Sequence, residues 1–233
     1  MQVAFYILIV LVLLLFLYFF QQAIIKYFSL ASFLAFGTSK IGVYLYFLFF
    51  LPGVILHELS HLFSASILGV PTGKLTIFPH KTDEGWSLGQ VASAETDILR
   101  SSLIGLAPMI VGAASLVFIV SFGLGIKNFA DVGRLNYSNW QTIIFIYLMI
   151  TFTNTMFLSK EDRTSIWAFP SLLVILFLFG RAMGLVGILT AVENLFYQIV
   201  SPLILSFSLT VVVDLLFFLP LAVLVEILLK IRA

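Results

Sequence analysis

The chain has no cysteine, and only 10% of its 233 residues are charged. Without cysteine there are no disulfides, no thiolate metal ligands and no cysteine nucleophile. Soluble domains carry about 25% charged residues, so a chain that is 61% hydrophobic has too little polar material to cover a water-facing surface. The net charge of +1 lacks the basic field that binding to a phosphate backbone requires, which argues against a nucleic-acid partner. No polar domain, internal repeat or low-complexity linker interrupts residues 1–233, which read as one integral-membrane domain.

What the sequence does contain is long apolar runs. Six stretches approach or exceed the roughly 20 helical residues that cross a bilayer core of about 30 Å. They cover about Val3–Phe20 (possible extension to Phe28), Ile41–Leu68, Ile98–Leu124, Trp140–Leu158, Ile166–Thr190 and Ile199–Leu229, the last with room to tilt or kink at Pro220. The first lacks a basic flank and a small-residue cleavage site, and so reads as a retained span rather than a signal peptide. The expected fold class is therefore an all-α polytopic membrane protein with about six transmembrane helices in contact with the lipid bilayer.

Loop charges set the expected orientation. One side would hold Lys74, Lys81, Arg100, Lys160, Arg163, Lys230 and Arg232, and the other Lys26, Lys40, Lys127 and Arg134, with Arg181 inside the membrane. Seven against four puts both termini in the cytoplasm. His57 then lies seventeen residues beyond Lys40, or roughly 25 Å along a helix, below the cytoplasmic surface.

The second stretch contains His57-Glu58-Leu59-Ser60-His61. Histidines four apart on a helix share a face and can direct imidazole nitrogens at one metal ion. Glu58 stands beside them as a general base for water polarised by that metal. Two histidines at this spacing can also be core residues, but these are two of only three in the chain, and ionisable groups within a span are costly enough to point to function. The expectation is one Zn2+ per chain, with His57 and His61 as ligands and an active site towards the cytoplasmic face.

A catalytic zinc takes three protein ligands and keeps one position open. The end of the fourth stretch, Asn154-Thr-Met-Phe-Leu-Ser-Lys-Glu-Asp162-Arg163, offers carboxylates at the same membrane face. This arrangement resembles the site-2 protease family of intramembrane zinc metalloproteases, in which an HExxH span is followed by an Asn and, eight residues later, an Asp ligand. Asn154 and Asp162 stand at that spacing, and Leu103-Ile-Gly-Leu-Ala-Pro108 resembles the small-residue patch of the intervening span. The similarity covers about residues 41–165, the expected catalytic core. It implies Asp162 as third ligand, with Glu161 and Asp214 as the other candidates. It also implies that Asn154 hydrogen-bonds the substrate carbonyl or developing oxyanion, where the alternative is an amide that packs spans together. The implied substrate is a membrane-spanning protein or peptide, cut within or near its transmembrane segment.

Between the second and third stretches, Gly69–Ala94 is the most polar long segment. Lys74–Phe78 alternates like a strand, Asp83-Glu84-Gly85 signals a turn, and Trp86–Val91 can return as a second strand. The family resemblance implies a membrane-associated β-hairpin whose edge, at Thr76, Ile77 and Phe78, holds the unwound substrate by β-augmentation. His80 follows as a resting ligand, a gate or a surface residue. Asp214 and Arg181 lie deep in the last two stretches, at helical depths roughly 6 Å apart. They suggest a structural ion pair, a gate or a proton relay. The rival to the enzyme reading is thus a transporter built on these two residues, or a metal-binding scaffold without activity.

Overall fold

The computed structural model describes all residues except 1, 83–84, 158–167, 185 and 233. The fold is predominantly helical: α1 (Gln2–Phe36), α2 (Ser39–Phe49), α3 (Leu51–Ile67), a small β region, α4 (Ile98–Phe118), α5 (Trp140–Thr153), α6 (Ala168–Ala182) and α7 (Val186–Arg232). Among the described residues, three helices, α1, α4 and α7, are long and apolar enough to cross a membrane, and a fourth span results if α2 and α3 are counted together. α5 and α6, at 14 and 15 residues, are shorter than the expected spans. α7 extends unbroken over 47 residues through both Pro202 and Pro220, a length of roughly 70 Å.

The lipid-compatible surface follows from helical periodicity. On α1, Phe5, Leu8, Leu11, Leu15, Phe16 and Phe19 are exposed, whereas Leu17, Phe20 and Ile24 are buried on the opposite side. An outward face this apolar suits hydrocarbon rather than water. The inner face packs along α7, and the core forms where Leu17, Leu116, Val120, Met149, Leu205 and Phe207 meet. A second cluster joins Phe20, Ile24, Tyr46, Phe50 and Ile150.

The second apolar stretch is not one straight helix. It breaks at Phe50 with a bend of 74°, and α3 restarts with Pro52 in its first turn, where a missing N–H costs nothing. The Phe49 carbonyl at the break accepts the Tyr147 hydroxyl of α5 at 2.7 Å. Phe50 itself is fully buried and lies against Tyr46, with ring centroids 4.2 Å apart. One turn into α3, Gly53 lets the helix sit directly on α5: a Cβ there would overlap the Thr151 carbonyl and the Thr155 hydroxyl. Overpacking of that kind costs about 1–3 kcal/mol, so the close approach of α3 to α5 depends on this glycine.

The polar segment forms two short antiparallel ladders rather than one uniform hairpin. β1 (Thr72–Thr76) pairs with β4 (Gln90–Ser93), while β2 (His80–Thr82) pairs with β3 (Gly85–Ser87). Trp86, expected to face the first strand, belongs instead to the inner ladder opposite Lys81. Pro79 lies between the two ladders and has no N–H to donate, so pairing is interrupted there. Asp97 caps α4 by accepting the Arg100 N–H at 3.0 Å. That hydrogen bond holds its carboxyl below the ordinary carboxylate range.

Candidate functional site

α3 carries His57, Glu58 and His61 between α4 and α5. The two imidazoles face each other, with Nε2 atoms 3.2 Å apart. Each Nδ1 points at a backbone carbonyl: that of His57 at Thr155, and that of His61 at Ile104, 2.9 Å away. A carbonyl oxygen only accepts, so both Nδ1 atoms carry the hydrogen, and when both rings are neutral each Nε2 presents a lone pair to the other. Two lone pairs at that distance repel unless a shared cation lies between them. Two nitrogens bound to one tetrahedral zinc ion at about 2.05 Å stand roughly 3.3 Å apart, so the pair fits two positions of a zinc site. An outward ring N–H donated to a carbonyl is also the usual support for a metal-binding histidine.

Both supporting carbonyls lie at irregular points of their helices, for different reasons. Ile104 lies in α4, where its oxygen would ordinarily accept the N–H of residue 108. That residue is Pro108, buried inside the helix, which has no N–H to give. Thr155 lies just beyond the last turn of α5. There the side chains of Thr153, Asn154 and Thr155 fold back to the carbonyls of Met149, Ile150 and Thr151 at 2.8–2.9 Å. These side chains supply donors to the last turn of α5, and the Thr155 carbonyl accepts from His57.

Glu58 is 5% exposed. Gly89, the residue immediately before β4, covers it so closely that a Cβ at 89 would stand 2.6 Å from Glu58 Oε1. The outer ladder is thus brought against the motif through β4. β1 pairs with β4, with Thr76 opposite Gln90. Ile77 and Phe78 follow this strand. Phe78 is exposed, and its ring lies 5.9 Å from that of Phe47. Gly89 was not marked by sequence reasoning, although a glycine between two short strands is a signal of close backbone approach.

Asn154 is buried, and its amide hydrogens are directed into the bundle: Nδ2 donates to the Ile150 carbonyl at 2.8 Å and to Asp214 Oδ1 at 3.1 Å. Its backbone oxygen accepts from Tyr46 Oη at 3.0 Å and from Gln21 Nε2 at 3.1 Å. Asp214 is fully buried and shares a face of α7 with the equally buried Ser206 and Thr210. The proposed third ligands Asp162 and Glu161 lie outside the described residues. So do the side chains of His80 and Arg181, the latter expected beside Asp214. Among the described residues no group of three His, Cys, Asp or Glu side chains converges as a metal site. A metal ion held between His57 and His61 would need a further ligand from elsewhere in the chain.

Comparison with protein-family models, with curated proteins and with solved structures gives no match to this chain.

Proposed function

We propose that this chain is a six-span intramembrane zinc metalloprotease of site-2 protease type, with both termini in the cytoplasm. The observation that carries the reading is the pair of facing Nε2 atoms in an HExxH helix, each imidazole backed by a carbonyl at an irregular point of its helix. His57, His61 and Asp162 would hold the metal. Zinc in that position supplies Lewis acidity towards water and the scissile carbonyl. Glu58 takes a proton from the attacking water as its oxygen bonds to the carbonyl carbon, then returns it to the departing amine as the C–N bond breaks. The burial of Glu58 beneath Gly89 limits access of bulk water to this carboxylate. An unwound transmembrane substrate would lie extended along the hairpin, using backbone partners near Thr76, Ile77 and Phe78. Asn154 serves this centre by fixing the end of α5 that supports His57.

Protein purified in mild detergent is expected to contain one zinc per chain and to cleave a single-span substrate in a chelator-sensitive manner. Protein that binds no zinc when supplied with it, or cleavage indifferent to chelation, would sink the proposal.

Gly89→Ala offers a sharper local test. Its added methyl meets the flexible end of Glu58, so the carboxylate moves while the histidines do not. Turnover is expected to fall by about 10- to 100-fold, the scale of a misplaced reacting group, with zinc content unchanged. Parallel turnover and metal assays check this. Loss of zinc, or unchanged turnover, would mean that Gly89 does not position Glu58.

A further inference from the structure

Helices α1, α2 and α7 all take hold of one residue, Asn154. Gln21 and Tyr46 donate to its backbone oxygen, and Asp214 accepts from its side chain. The next carbonyl along the chain, that of Thr155, orients His57. We infer that Asp214 is a positioning residue for the metal centre: by fixing the Asn154 amide, it holds the Thr155 carbonyl where His57 needs it. The inference rests on the zinc reading above and adds a structural path from α7 to one ligand.

The bond arrangement favours this role over a passive buried carboxylate. Asn154 Nδ2 has two hydrogens, and one closes the last turn of α5 on Ile150. The other is the only side-chain tie from this residue to a different helix among the described residues. Asn154 Oδ1 and Asp214 Oδ2 are both buried without a hydrogen-bond partner among the described residues. An amide at position 214 would keep the acceptor for Asn154 and place a neutral donor where the unpartnered Asp214 Oδ2 now lies. Asp214→Asn should therefore preserve the arrangement, whereas Asp214→Leu has similar bulk and neither bonding group. Tyr46→Phe removes a separate tie to the same residue.

The test compares zinc affinity by chelator competition, and the visible absorption of the Co2+-substituted protein, in wild type and these three variants. Asp214→Leu is expected to weaken zinc binding about 10-fold, the lower end for an outer supporting group, and to alter the cobalt spectrum. Tyr46→Phe should shift both readouts in the same direction, and Asp214→Asn should match wild type. A folded Asp214→Leu with wild-type affinity and spectrum overturns the inference, as does an Asp214→Asn as impaired as Asp214→Leu. If Asp214→Leu does not fold, Tyr46→Phe decides, and wild-type behaviour there overturns it. Zinc-free wild-type protein would overturn this inference together with the protease reading; zinc-loaded wild type with an indifferent Asp214→Leu overturns this inference alone.

Discussion

Glu58→Gln is expected to bind zinc as the wild type does and to hydrolyse at least about 100-fold more slowly, the lower bound for losing a positioned general base. Glutamine is nearly isosteric with glutamate, so it fits the same buried space under Gly89. It leaves untouched the two carbonyls that orient His57 and His61. An amide cannot accept the proton of the attacking water, so metal content and turnover should separate. Zinc analysis beside cleavage of a transmembrane substrate in detergent reads both quantities. Full activity in a preparation free of contaminating proteases would remove Glu58 from the mechanism. Joint loss of zinc and activity would make it part of the metal site rather than its base.

The second large effect is expected from Asp162→Ala. His57 and His61 provide two nitrogens, and a structure-independent count of zinc ligands requires one more from the protein. If Asp162 supplies it, the alanine variant loses a bond to the metal and occupancy collapses. Glu161→Ala and Asp214→Ala should cost no more than the roughly 10–100-fold typical of supporting groups. Metal analysis of the three variants under one chelator concentration discriminates among them. Full occupancy in Asp162→Ala with loss in either of the others would move the third ligand to that residue.

The helices were largely legible in the sequence because uninterrupted apolar runs leave few alternatives to a helix. α4 begins at the expected residue, and α2 with α3 covers the expected second stretch. The break at Phe50 was less visible. Pro52 permits a helix to begin there but does not require one, and the bend is completed by Tyr147, almost a hundred residues away. The division of the hairpin into two ladders is less legible, because the alternating pattern of Lys74–Phe78 runs past the end of β1 at Thr76 and Pro79 lies between the ladders. Asp214 was harder still. Counting residues by depth sets it roughly 6 Å from Arg181, whose side chain lies outside the described residues, and depth says nothing about which side of α7 faces α5. Its hydrogen bond to Asn154 depends on helix rotation, which a linear count cannot supply.

Pro108 carries a signal readable from the sequence alone, since the residue four before a proline within a helix lacks its usual N–H partner. Its presence sets two demands in opposition within α4. Alanine at 108 would restore a ladder N–H and draw the Ile104 oxygen back along the helix axis, favouring a more regular helix and a less firmly held His61. The most regular version of this helix is therefore not the version that best orients His61, and selection for thermal robustness alone would tend to erase the irregularity on which the proposed centre would depend.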